Sequence, residues 1–169
     1  MRPIDYFDRG AIASPERIFA AGSGKQFTYD EAKRSTEGIA KGLYQAGFAV
    51  GDSVAVYSPN DPGAVVCIFA AYRAGGAWVP VNVRNAASTN AEYMAYVKTR
   101  WLFFHSSVLS QVEEVIPHLT ELKGVICFDS DDTPYQYLAD FCAAGNDTDM
   151  PDWSDPFGAP DVVFSRWPT

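Results

Sequence analysis

The stretch VGDSVAVYSPNDPGAVVCIFAAYRAGGAWVPVN, residues Val50–Asn82, decides the fold. Val50-Gly51-Asp52 reads as a turn. Val54-Ala55-Val56-Tyr57 is a short, β-rich apolar run, the pattern of a strand buried on both faces of a parallel sheet. Ser58-Pro59-Asn60-Asp61-Pro62 breaks the strand and caps the next helix. Gly63 to Ala74 is almost wholly apolar, which predicts a helix buried all round. Gly75-Gly76 stops that helix, and Trp78-Val79-Pro80-Val81-Asn82 is a second strand. Pro80 has no N–H, so it needs an edge strand, a strand end or a place without a ladder bond. Strand, helix and strand in this order form a βαβ unit.

Upstream, Arg17–Ala20 and Gln26–Thr28 are extended in pattern and flank Gly22-Ser23-Gly24. That arrangement suits a hairpin turn. The run Gly22-Ser23-Gly24-Lys25 has the residue types of a phosphate-binding loop. The G-x-x-x-x-G-K-[ST] pattern, however, needs glycine at 19 and Ser or Thr at 26, and the chain has Phe19 and Gln26. Lys25 is therefore read as a solvated turn lysine. Thr28 and Glu31 form a T-x-x-E capping box. The helix behind it places Ala32, Ile39, Ala40 and Leu43 on one face and turns Lys33, Arg34, Glu37 and Lys41 to water. Gly47 is its expected C′ residue.

Downstream, Ser88–Glu92 opens a helix, with Thr89 and Glu92 as a second capping box and Met94 and Val97 on its inner face. Leu102–His105 is a strand, Val108–Leu119 a helix, Val125–Phe128 a strand and Tyr135–Ala143 a helix. Residues 144–160 read as an acidic connector rich in Gly, Pro and Asp, and Asp161–Trp167 as a last strand. Alternating strands and helices predict an α/β fold: a mostly parallel sheet flanked by helices, with right-handed crossovers and a small N-terminal hairpin. The expected organisation is an arm over 1–16, a hairpin and α/β core over 17–143, the connector over 144–160 and a strand over 161–169.

Charge narrows the function. Thirteen Lys and Arg against twenty-one Asp and Glu leave a formal net charge of −8, which argues against non-specific nucleic-acid or anionic-membrane binding. The longest apolar run, Ala64–Tyr72, is far short of the roughly 20 residues that span a bilayer. The first residues carry early acids and no apolar core, so a cytoplasmic chain is expected. Cys67 and Cys127 sit in apolar runs and read as buried thiols. No CxxC exists and His105 and His118 lack ligand spacing, so no metal site is expected. Arg73, Arg84 and Arg100 are scattered and read as surface or helix-end charges. His105 ends a strand at the ligand-binding edge of a parallel sheet, but no acid or nucleophile pairs with it in sequence, so a structural role is favoured. Tyr72, Trp78 and Trp101 read as core, and Asn60 and Asn82 as turn and cap residues. No residue of the chain is assigned a catalytic role.

Four segments in order carry a resemblance: Phe27-Thr28-Tyr29-Asp30-Glu31-Ala32, Gly47 to Val56, Ser58-Pro59-Asn60, and Tyr72 to Asn82. Together, over about residues 15–105, they resemble the N-terminal part of the adenylate-forming superfamily: acyl-CoA synthetases, aryl-CoA ligases, luciferases and non-ribosomal peptide adenylation domains. The resemblance implies a parent enzyme, most like a fatty-acid CoA ligase, that activates a carboxylate with ATP and Mg²⁺ and passes the acyl group to coenzyme A. It also implies a Gly/Ser/Thr-rich phosphate loop behind the strand at 161–167, with Thr169 in register with its first hydroxyl residue. On that reading the chain is an N-terminal portion, a structural platform not catalytic alone and with no ligand bound. Its partner is the remainder of its own polypeptide, and the isolated piece is expected to self-associate. The alternative is a self-standing flavodoxin-like binding or regulatory module.

Overall fold

The computed structural model describes residues 2–151; the strand expected at 161–167 and Thr169 lie outside them. Its elements are α1 (Pro3–Ala13), the hairpin β1 (Ile18–Gly22) and β2 (Lys25–Thr28), α2 (Tyr29–Gln45), β3 (Ser53–Tyr57), α3 (Pro62–Arg73), β4 (Ala77–Pro80), α4 (Ala87–Tyr96), β5 (Trp101–Phe104), α5 (Leu109–Val115), β6 (Gly124–Cys127), β7 (Gln136–Tyr137) and α6 (Leu138–Ala144). The five strands β3 to β7 make one sheet in the order β4-β3-β5-β6-β7, and every neighbouring pair is parallel. Pro80 falls on β4, at the edge of that sheet, where its missing N–H breaks no ladder.

The strands are apolar on both faces because both faces are covered. Val54, Val56, Trp101, Phe103 and Ile126 pack into one cluster with α1, α2, α3 and α6, through side chains such as Phe7, Ile39, Leu43, Val66 and Phe141. The alternate residues Ala55, Tyr57, Leu102, Phe104 and Cys127 face α4 and α5, meeting Met94, Val108, Val112 and Val115. α3 has no exposed residue, as its composition predicts.

Local signals set the element ends. The Thr28–Glu31 box is complete: the Glu31 N–H donates to Thr28 Oγ1 at 3.2 Å and the Thr28 N–H to Glu31 Oε2 at 2.8 Å. The hairpin turns on Ser23 and Gly24, with φ of 52° and 75°, the positive pair a two-residue turn requires. Three helices then end with one geometry. Behind α2, the Gly47 N–H bonds Tyr44 O and the Phe48 N–H bonds Leu43 O; behind α3, Gly75 bonds Tyr72 O and Gly76 bonds Ala71 O; behind α4, Lys98 bonds Ala95 O and Thr99 bonds Met94 O. Each is a paired 5→2 and 6→1 closure with its C′ residue at positive φ, 87° at Gly47, 80° at Gly75 and 55° at Lys98.

Several expectations need correction. The first residues form an amphipathic helix, α1, seated on α2 and α3. Thr89 and Glu92 do not cap α4. That helix starts three residues earlier, behind Ala86 and without a side-chain cap, since buried Asn90 is anchored by donating to Tyr57 Oη at 2.8 Å and Asn82 O at 3.0 Å. The helix expected over 108–119 is split into a 3₁₀ turn at Ser106–Val108, α5, and a second 3₁₀ turn at Ile116–His118, where Pro117 cannot supply an N–H to an α-helical ladder. Residues 136–137 join the sheet as β7 before α6 begins.

Lys98 is the one C′ residue of the three that carries a side chain into the left-handed region. Replacing it by glycine (K98G) should raise stability by about 0.5–1 kcal/mol, read as a higher urea midpoint at unchanged m-value.

Candidate functional site

Parallel pairing sends every strand's carboxyl end to one edge of the sheet, and the loops leaving that edge are where ligands of open α/β sheets bind. Here they are Ser58–Asp61 behind β3, Val81–Ala86 behind β4, His105–Val108 behind β5 and Phe128–Ser130 behind β6. An open groove of about 1620 Å³ runs along the β3 and β4 side, with Phe19, Ile68, Phe69, Trp78 and Pro80 among its walls and Asn60 and Asn82 on its rim. Asn82 is held in place: its Oδ1 accepts the Arg84 N–H at 3.0 Å, and its carbonyl accepts from Asn90. The cap and turn roles expected of it are what it performs.

His105 has partners that are invisible along the chain. Its Nδ1 accepts the Ser107 N–H at 3.1 Å, so the imidazole caps the 3₁₀ turn and, when neutral, carries its proton on Nε2. Nε2 lies 3.3 Å from Asp129 Oδ2 and 3.9 Å from Asp61 Oδ2. Asp129 also accepts from the Ser106 N–H and hydroxyl, both at 2.7 Å, and from the Cys127 thiol at 3.4 Å. Burial alone would push the Asp129 carboxyl up; the Ser106 donors and His105 outweigh it and hold it below the ordinary carboxylate range. Asp61 accepts the Gly63 N–H at 2.7 Å, capping α3, and Lys25 Nζ stands 3.7 Å away, so that lysine faces a carboxylate as well as water. Ser, His and Asp are together here but not as a nucleophile and base: the Ser106 hydroxyl is committed to Asp129, not to the imidazole.

The opposite, amino edge is held by Asp52, a residue read from the sequence only as part of a turn. Its buried carboxylate accepts from Arg100 Nη1 at 2.9 Å, Lys123 Nζ at 3.0 Å, the Ala49 N–H at 3.0 Å and Trp101 Nε1 at 3.2 Å. Burial raises the Asp52 carboxyl, but these four donors pull it below its usual range. Arg100 is thus an anchor, closed on its other side by Glu121 at 3.2 Å. Arg73 is corrected too. It is 8% exposed, and its guanidinium binds Asp8 of α1 at 2.5 and 3.1 Å and Thr36 of α2 at 2.9 Å, fastening three helices. Only Arg84 among the three is exposed.

Cys67 and Cys127 are buried free thiols, and burial pushes the half-buried Cys142 thiol up to about 11. Among the described residues no group of three or more His, Cys, Asp or Glu side chains could hold a metal ion, and no helix is long and apolar enough to cross a membrane.

The architecture is that of a parallel-sheet α/β platform with its loops presented at the carboxyl edge. The sequence profile of the AMP-binding enzyme family matches residues 7–162, and the chain belongs to that family. It is similar to a feruloyl-CoA synthase of Amycolatopsis, 38% identical over 76 residues, or 45% of this chain and 16% of that protein. It is also similar to surfactin synthase subunit 3 of Bacillus subtilis, 25% identical over 151 residues, or 89% of this chain and 12% of that one. Among solved structures, a long-chain-fatty-acid CoA ligase of Rhodopseudomonas palustris superposes with a TM-score of 0.81 at 23% identity, covering 98% of this chain and 40% of that one. The match therefore spans well under half of each relative's length.

Removing the Asp52 carboxylate (D52A) leaves a guanidinium, an ammonium and an indole N–H without their shared acceptor. It should cost roughly 2–3 kcal/mol by urea titration. The pH dependence comes from the depressed carboxyls. Asp52 and Asp129 contribute stability that is fully present above their ordinary value of 3.8 and is lost as pH falls through their lower folded values. Wild-type stability should drop below about pH 4, and the drop should be shallower in D52N.

Proposed function

We propose that this chain is the N-terminal subdomain of an ATP-dependent acid–thiol ligase, and that it acts as a rigid platform rather than as a catalyst. The family match over residues 7–162 carries the reading. The similarity to a feruloyl-CoA synthase and to fatty-acid CoA ligases supports coenzyme A as the acyl acceptor. In such a reaction a carboxylate oxygen attacks the α-phosphorus of ATP, pyrophosphate leaves and an acyl-adenylate forms. The thiol of coenzyme A then attacks the acyl carbon, and AMP leaves. Mg²⁺ would supply the charge neutralisation that phosphoryl transfer needs.

The work of gripping the polyanion is assigned to segments beyond the described residues. Thr169 is proposed as the first hydroxyl of the phosphate loop, behind an expected connector over 144–160 and an expected strand over 161–167. The sheet's part is to hold its carboxyl-edge loops stiff, since preorganised geometry is what a phosphoryl-transfer site requires. The partners are the remainder of the polypeptide and a small carboxylic acid, in the cytoplasm.

The test is carboxylate-dependent ATP–pyrophosphate exchange by the full-length polypeptide carrying this segment. The expected outcome is exchange with at least one aliphatic or aryl acid and none by residues 1–169 alone. Exchange by the 169-residue chain unaided would overturn the platform reading, and absence of exchange with every acid would overturn the ligase reading. Self-association of the isolated chain, proposed because β4 and β7 are edge strands of the sheet among the described residues, should appear in light scattering as a mass that grows with concentration.

A further inference from the structure

The cluster around His105 does something neither a turn cap nor a core contact requires. Three carboxyl-edge loops meet at one imidazole. Asp61 belongs to the loop behind β3 and fixes the start of α3 through the Gly63 N–H. Asp129 belongs to the loop behind β6 and fixes the start of the turn behind β5 through the Ser106 N–H and hydroxyl. Both carboxylates are nearly closed to water, with side chains 4% and 9% exposed, and both face Nε2 of His105. Because Nδ1 is occupied in accepting the Ser107 N–H, Nε2 is the ring atom left beside the two acids, 3.3 Å from Asp129 and 3.9 Å from Asp61. The ring is steadied by an edge-on contact with Phe128, centroids 5.6 Å apart.

We propose that His105 is a positioning residue: its Nε2 edge, set against the carboxylates of Asp129 and Asp61, couples the loops behind β3, β5 and β6 so that the carboxyl edge is set before any reactant arrives. The inference rests on the ligase reading for its effect on rate, but not for its effect on the loops. His105 itself touches no reactant. It acts through Asp61 on the Ser58–Asp61 loop, which lines the groove at that edge.

Two conservative variants separate this role from simple capping. Asparagine can accept the Ser107 N–H in place of Nδ1 but does not reach the carboxylates. Glutamine brings an amide N–H to the place of Nε2 but gives up the cap. The variants H105N, H105Q and H105L are made in the full-length polypeptide and in residues 1–169. In the full-length protein the turnover of acid-dependent ATP–pyrophosphate exchange should fall about tenfold or more in H105N and H105L, be largely recovered in H105Q, and leave the KM for ATP within about twofold. In residues 1–169, the Gly63 and Ser106 amides should exchange faster with solvent deuterium in H105N and H105L but not in H105Q. The reverse pattern, with asparagine preserved and glutamine impaired, would reduce His105 to a cap and overturn the proposal, as would wild-type behaviour in all three. If the full-length wild type exchanges with no acid, the ligase reading falls and the amide pattern alone decides this one. If a His105 variant does not fold, D129N replaces it: the same loosening of Gly63 supports the coupling and wild-type protection overturns it.

Discussion

The carboxylate of Asp52 is the constraint on which the rest of the structure depends. It stands at the amino edge of the sheet, at the head of β3, and gathers donors from the heads of β5 and β6: Arg100 and Trp101 from one, Lys123 from the other. Its main chain serves the fourth strand, where the Ala77 N–H of β4 bonds Asp52 O at 2.9 Å. A buried carboxylate is costly unless its acceptors are filled, and this one is filled by groups that must come from those strands in this register. The Asp52 carboxylate thereby favours this register of β3, β5 and β6 over slipped alternatives. Ser53 works beside it, its hydroxyl bonded to the carbonyl of Lys98 just before β5.

With the amino edge tied down, the crossovers are short and their ends defined. Gly47, Gly75 and Lys98 close α2, α3 and α4 in the same way, each delivering the chain to the next strand. At Gly76 the fit is tight enough that a Cβ would stand 3.0 Å from Phe48 and 3.1 Å from Asp52 O. That contact joins the glycine pair behind α3 to the glycine–aspartate turn before β3, so the two sequence features most visible in Val50–Asn82 are one packing unit.

What is legible in the sequence is what is local. The βαβ alternation, the hairpin, the Thr28–Glu31 box, the C′ role of Gly47 and the edge place of Pro80 are all consequences of propensity and period, and they appear as read. The errors at Thr89, Arg73, Arg100 and His105 share a cause. Thr89–Glu92 has the spacing of a cap, but α4 starts where Asn90 can reach Tyr57 and Asn82, which only the folded sheet brings near. Arg73 and Arg100 look solvated along the chain because Asp8 and Asp52 lie 65 and 48 residues away. His105 looks unpaired for the same reason, since Asp61 and Asp129 come from other strands. A lone polar residue at a strand end beside another strand's acid is the signal that could have found these pairs, and it becomes readable only once the strand order is known.

The two edges divide the labour. The amino edge commits its charges to holding strands together; the carboxyl edge keeps its loops in a set geometry around His105 and leaves an open groove beside them. Strands β3, β5 and β6 must therefore be one cooperative unit in residues 1–169. Native-state amide hydrogen exchange measures this directly. The amides of Val54, Leu102 and Ile126 are predicted to exchange with a common free energy equal to that of global unfolding. Exchange of β6 through a separate, much lower-energy opening while β3 and β5 stay protected would contradict the central role of Asp52.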